Sequence, residues 1–187
     1  MRIGITGTVS AGKTTVLKFL KAKKYPIFSA DEEVGKFYKN KSFLKSFSAK
    51  IGLKYNKNLK KNIKELITKK RINLKTLEKH IHPKVRGKML NFLKKNRRKK
   101  LIFLEIPLLS ERNLFHYFDE TIFIGASKEI RLKRFIKKGG NKSLFQVLEK
   151  RQHSSKQKVR RCDRVINNNK SIKVLKKNLN NILSNYD

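Results

Sequence analysis

One segment near the start, Gly7-Thr8-Val9-Ser10-Ala11-Gly12-Lys13-Thr14, places glycines, a lysine and a hydroxyl at the spacing Gly-x-x-x-x-Gly-Lys-Ser/Thr. That spacing is the chemistry of gripping a nucleoside triphosphate. Glycine lets the backbone turn several N–H groups inward around phosphate oxygens, and a helix that follows presents its positive N-terminal end. Lys13 would reach the β- and γ-phosphates and the Thr14 hydroxyl would hold Mg²⁺. The expected nucleotide-binding set is therefore Gly7, Ser10, Ala11, Gly12, Lys13, Thr14 and Thr15. The competing reading is a strand-to-helix turn that binds nothing. The apolar run Ile3, Gly4, Ile5 directly before the loop argues against it.

Two acids and one basic cluster could complete a phosphoryl transfer. Asp31 ends a short apolar segment, Pro26 to Ala30, and a carboxylate at a strand end can take the proton of an acceptor alcohol as its oxygen attacks. Ser29-Ala30-Asp31-Glu32 also reads as a capping box, so Asp31 could simply begin a helix. Glu105 closes the run Leu101 to Glu105 and could orient a water on Mg²⁺, or could point into solvent. Arg131, Lys133, Arg134, Lys137 and Lys138 flank a Gly139-Gly140 break and could offset transition-state charge. Arg134 is the preferred member, because a guanidinium fork suits phosphate oxygens.

These residues need a scaffold, and the apolar patterning supplies one. Strands are expected at Arg2–Thr6, Pro26–Ala30, Lys100–Ile106, Thr121–Ile124 and Arg164–Asn167. Helices are expected over Lys13–Lys24, Lys128–Lys137, Ser143–Arg161 and Ser171–Leu183. Between residues 32 and 99 nothing alternates like a strand. Phe37, Phe43, Leu44, Phe47 and Ile63, Leu66, Ile67 instead suit short amphipathic helices, a helical insertion. Strands alternating with helices imply a parallel α/β sheet wrapped on both faces. The Gly-Gly break suits a short lid over about residues 134–145.

Composition narrows the class. The chain has 187 residues, enough for one domain with an insertion. Its 49 Lys plus Arg against 13 Asp plus Glu give a net charge of +36, which raises the question of nucleic acid. The lysines are spread evenly, though, among Asn, Ile and Phe that share A/T-rich codons, and no aromatic-basic motif accompanies them; nucleic-acid binding is the disfavoured reading. A single cysteine, Cys162, excludes an internal disulfide and fits a reducing cytoplasm. No apolar run reaches membrane length.

Phosphate loops serve GTPases, motor ATPases and small-molecule kinases. The guanine-reading Asn-Lys-x-Asp is missing at Asn168-Asn169-Lys170-Ser171, and motor ATPases usually need a longer chain. A compact small-molecule kinase remains. At this point five ordered motifs coincide with one family. The loop Thr6 to Thr15, Ser29-Ala30-Asp31, His82-Pro83-Lys84-Val85-Arg86, Pro107-Leu108-Leu109-Ser110-Glu111, and Cys162-Asp163-Arg164-Val165-Ile166-Asn167-Asn168-Asn169 preceded by Gln152 and Lys156, resemble the dephospho-coenzyme A kinase family across nearly the whole chain. The resemblance implies a P-loop, nucleoside-monophosphate-kinase-like fold with five parallel strands. It implies ATP-dependent phosphorylation of the ribose 3′-hydroxyl of dephospho-CoA, with Asp31 as base. It also implies that His82 and Arg86 bind the acceptor from the insertion, and that Asn168 and Asn169 lie near the adenine of ATP. Another kinase of the same fold, acting on a nucleoside monophosphate, is the alternative.

Several departures from the family pattern stand out, among them Ala11 where a serine is frequent and lysines in place of some lid arginines. Ser10 replaces a usual glycine and needs a compatible φ angle. Ser29 replaces the first acid of Asp-Ala-Asp. Lys60 stands where an arginine is expected, and Lys170 where Asn-Asn is followed by glycine.

Overall fold

The computed structural model describes residues 1–50, 52, 53, 55 and 74–186. Lys60 and the expected Ile63, Leu66, Ile67 helix lie outside the described residues. The chain divides into two compact units, Met1–Ser29 with Asn96–Asp187, and Ala30–Lys95.

In the first unit, apolar runs become strands β1 (Arg2–Gly7), β2 (Ile27–Ser29), β3 (Ile102–Glu105), β4 (Glu120–Gly125) and β5 (Arg164–Asn167). They form one parallel sheet of five strands in the order β2-β3-β1-β4-β5. The central strands are buried on both faces, as parallel strands covered by crossover helices must be. Ile3, Ile5, Phe103, Ile122, Ile124 and Ile166 pack with Val16, Leu17 and Leu20 of helix α1 (Lys13–Ala22). Leu175, Leu179 and Leu183, one per helical turn, join this core from the C-terminal helix Ile172–Leu183.

The second unit is helical among its described residues: α2 (Ala30–Phe37), α3 (Lys41–Lys50) and α4 (Leu74–Lys95). Phe43, Leu44 and Phe47 bury one face of α3, and Ile81, Val85 and Met89 repeat every four residues along α4. His80 stacks on both Phe43 and Phe47, with ring centroids 5.4 and 5.6 Å away. Pro83 does not end α4 but sits inside it. The ring removes one backbone hydrogen bond and crowds the preceding turn; the buried stripe on either side of Pro83 keeps the helix continuous.

The remaining helices of the first unit are α5 (Lys128–Lys137), α6 (Lys142–Lys150), α7 (Ser155–Val159) and α8 (Ile172–Leu183). The single helix expected over residues 143–161 is thus two. Ser154 forms a capping box with Gln157 and starts α7, while the His153 N–H just before it donates to Glu111 at 2.7 Å. Tertiary hydrogen bonding at this corner outweighs the uninterrupted local pattern. The break at Gly139-Gly140 falls where the sequence placed it, and Asn141 caps the helix that follows.

Candidate active site

The loop between β1 and α1 is shaped by backbone constraints. Gly7 lies so close to β4 that a Cβ there would meet the Ile124 carbonyl oxygen at 2.3 Å. Gly12 caps α1 in the left-handed region, with φ 110°, and a Cβ would fall 2.1 Å from Nδ2 of Asn168. Both positions admit only glycine. Ser10 is also left-handed, with φ 57°, the conformation that the family's usual glycine adopts freely. A non-glycine residue there carries a strain of about 1 kcal/mol.

Side chains from elsewhere in the first unit lock this loop by its carbonyls. Lys13, only 8% exposed, donates to the Gly7 and Thr8 carbonyls at 3.2 Å each. Asn168 donates from Nδ2 to the Ala11 carbonyl at 2.8 Å, and its own N–H donates to Gly125 at 2.7 Å. Arg134 reaches the Ala11 carbonyl at 3.4 Å and the Asn168 carbonyl at 3.0 Å. Arg131 donates to Val9 and Ala126 while its guanidinium pairs with Glu149 at 2.5 Å. Within the loop the Ala11 N–H donates to the Thr8 carbonyl at 3.2 Å and the Thr15 N–H to Gly12 at 2.9 Å; a loop of this pattern at a helix N-terminus suits an anion. Thr14 is exposed and Thr15 half-buried on the first turn of α1.

Glu105 does not point into solvent. It is 1% exposed, lies opposite Ile5 of β1 and Ser29 of β2 in the sheet register, and accepts a 2.8 Å hydrogen bond from the Ser29 hydroxyl. The departure from Asp-Ala-Asp at Ser29 therefore places a donor against Glu105 where an acid would place a like charge. Among the described residues no cluster of three or more His, Cys, Asp or Glu is built to hold a metal. The chemistry of the donors nonetheless fits Mg²⁺. One carboxylate and one hydroxyl, Glu105 and Thr14, are hard oxygen groups, and Mg²⁺ in kinases takes few protein ligands, with water and phosphate oxygens for the rest.

The segment after β3 carries the Pro-Leu-Leu-Ser-Glu motif, and it is held from α7. Lys158 is fully buried, donating to the Pro107 carbonyl at 2.8 Å and pairing with Glu111 at 2.9 Å. Thr6 of β1 donates to the same Pro107 carbonyl at 3.3 Å. His153 Nδ1 lies 3.0 Å from the Ser110 hydroxyl, and Arg161 donates to the Ser110 carbonyl. Burial pushes the Lys158 ammonium below the usual lysine range, Glu111 opposes the shift, and the positive charge of Lys13 adds to it.

In the second unit, Asp31 is exposed in the first turn of α2, beside Glu32 and Glu33. The hydroxyl of Ser29, just before α2, donates to Glu105. His82 and Arg86 stand one helical turn apart on α4, half-buried and exposed, beside the buried Ile81 and Val85. Burial, together with Lys50 and Lys84, holds His80 below the usual imidazole range.

Of the residues singled out in the sequence, the first unit brings Arg134 and Asn168 against the loop and sets Glu105 in β3 beside Ile5 and Ser29. Sequence reasoning missed the bracing by Lys158. Pro107 and Glu111 were recognisable as a motif, but nothing in the spacing singled out Lys158 among its basic neighbours.

Comparison with known proteins shows the family and the fold. A family model described as dephospho-CoA kinase matches residues 1–174. A dephospho-CoA kinase of Fusobacterium nucleatum is 32% identical over 184 residues, covering 94% of this chain and 93% of that one. One from Rickettsia typhi is 33% identical over 190 residues, covering 100% and 98%. Among solved structures, a Thermus thermophilus protein matches with a TM-score of 0.77 at 28% identity, over 99% of this chain and 97% of that one. A shikimate kinase from Bacteroides thetaiotaomicron shares the fold, with a TM-score of 0.56 at 16% identity over 98% of each chain.

Proposed function

The chain belongs to the dephospho-CoA kinase family, and from that premise we propose how its own residues carry the reaction. The enzyme phosphorylates dephospho-CoA at the expense of ATP, giving CoA and ADP at the end of coenzyme A synthesis. The observation that carries the reading is a phosphate loop whose carbonyls are tied back by Lys13, Asn168, Arg131 and Arg134. Such a loop is organised for a triphosphate before any arrives.

In the proposed mechanism the loop N–H groups from Gly7 to Thr15 cradle the phosphates. Lys13 exchanges its carbonyl partners for β- and γ-phosphate oxygens, and its charge offsets what develops on the transferring group. Thr14 and Glu105 are the residues that would hold Mg²⁺, which supplies charge neutralisation on the phosphates. Asp31 receives the proton of the ribose 3′-hydroxyl as that oxygen attacks γ-phosphorus in line with the departing ADP. Arg134, at the end of the loop nearest Asn168, serves the nucleotide, and the α5–α6 corner over residues 134–145 is the lid. The helical unit Ala30–Lys95 is the acceptor-binding region, through His82 and Arg86. A cytoplasmic location accords with this role; no helix among the described residues is long and apolar enough to cross a membrane.

An ADP-release assay tests this directly. With ATP and Mg²⁺ present, dephospho-CoA should support turnover and the common nucleoside monophosphates should not. Turnover on a monophosphate alone would reassign the acceptor.

A further inference from the structure

Among the described residues three basic side chains are buried: Lys13, Arg131 and Lys158. Lys13 and Arg131 belong to the phosphate loop and its bracing. Lys158 has no place in the transfer as written, yet a fully buried ammonium is costly unless its partners are well placed. Its partners are the two ends of one short segment, the Pro107 carbonyl and the Glu111 carboxylate.

The sheet order says where that segment emerges. β3 lies between β1 and β2, and in open α/β sheets ligands gather at the carboxyl ends of strands. β1 ends in the phosphate loop, and β2 ends at Ser29, two residues before Asp31. The segment after β3 therefore leaves the sheet between the strand that leads to the donor grip and the strand that leads to the proposed base. Pro107 is fixed from both sides, by Thr6 of β1 and by Lys158 of α7. Glu111 spends one oxygen on Lys158 and the His153 N–H, while Oε2 is buried with no hydrogen bond among the described residues. A pair retained for stability alone would be expected to satisfy both oxygens.

We infer that Lys158, acting through Pro107 and Glu111, is a positioning residue that holds the loop after β3 in the shape required for use of the acceptor substrate. The inference rests on the functional reading above. It separates two jobs on adjoining strand ends: Lys13 grips the donor, and Lys158 shapes the acceptor side without touching either substrate.

The test is steady-state kinetics of Lys158→Met/Glu111→Gln, which removes both charges together while leaving an acceptor for the His153 N–H. Steady-state rates against dephospho-CoA are paired with direct titration of ATP. The expected result is a loss of about tenfold to a hundredfold in kcat/KM for dephospho-CoA, with ATP affinity within about twofold of wild type. Wild-type kinetics in the double variant would make the pair a matter of charge balance and overturn the inference. A parallel fall in ATP affinity would overturn it too, by assigning Lys158 to the phosphate loop. Should the double variant not fold, Glu111→Gln alone keeps the one oxygen that accepts from both Lys158 and the His153 N–H and should lose about threefold on the acceptor side only, as expected for a weakened charge-assisted bond; no loss there counts against the inference. If the wild type itself fails to turn over dephospho-CoA, the functional reading falls and this inference with it. Wild-type turnover with an unaffected variant removes the inference alone.

Discussion

The two units of this molecule hold the residues proposed for the reaction in opposite ways. In the sheet unit, Lys13, Glu105 and Asn168 are buried; Glu105 and Asn168 are each fixed by a hydrogen bond to a distant part of the chain, and Lys13 by carbonyls of its own loop. In the helical unit, Asp31 and Arg86 are exposed on helix surfaces. The difference accords with the proposed assignment of ATP to one unit and the acceptor to the other. A triphosphate is the same anion in every turnover, so the loop that takes it can be set in advance. Preorganised donors cost no reorganisation when charge develops. In the proposed mechanism the base meets a hydroxyl that arrives with a large substrate, and an exposed carboxylate leaves room for that approach.

The sharpest way to break that contrast is Asp31→Ala. Loss of a general base typically costs 10²–10⁴-fold, so kcat should fall by about 10³ while ATP titration remains unchanged; a parallel loss of ATP binding would place Asp31 on the donor side. Lys13→Ala should act the other way. A reduction of about 10²–10³ in kcat is expected together with weakened ATP binding, read by calorimetry. Next in size, Arg86→Ala should raise KM for dephospho-CoA by about tenfold, as loss of one charge-assisted hydrogen bond would, with KM for ATP unmoved. Equal changes in both constants would dissolve the division of labour.

Two smaller effects probe how each unit is held together. Ser10→Gly should relieve the left-handed strain and stabilise the sheet unit by about 1 kcal/mol, measured by urea unfolding. A negative result would mean that the hydroxyl contributes more than the strain costs. The pH windows of the units should also differ. His80 is held below its ordinary value, so its neutral form favours the folded helical unit. That contribution is present above about pH 6.5 and is lost as the pH falls through the folded value. In the sheet unit the Arg2 guanidinium holds the Asp119 carboxyl below the ordinary carboxylate range, and that contribution is lost only below about pH 4. Hydrogen exchange at pH 7 and pH 5, corrected for intrinsic rates, should therefore show α3 amides loosening before those of β1, and His80→Gln should remove the difference.

Much of the scaffold was legible because its signals are local. Strands β1, β3 and β4 are nearly continuous apolar runs, and α8 repeats leucine at helical spacing, so each could be read from a short window. Where distant groups compete, local reading failed. The helix expected over residues 143–161 breaks because a backbone N–H at His153 is taken by Glu111, 42 residues away. Glu105 could be read as solvent-facing because nothing near it in sequence shows that Ser29 lies opposite in the sheet. Pro83 lies inside α4, and the buried stripe of Ile81, Val85 and Met89 runs on either side of it.

The sequence by itself determined the family: a loop with Gly7 and Gly12 closed by Lys13 and Thr14, an acid at Asp31, and motifs whose order specifies one family. These are properties of residue type and spacing along the chain. Only the tertiary structure decided which of 49 lysines and arginines leave the solvent. Lys13, Arg131 and Lys158 do so among the described residues. A buried cation is tolerated only where acceptors surround it. For Arg131 and Lys158 those acceptors, Val9, Glu149, Pro107 and Glu111, come from segments that folding alone brings to one place.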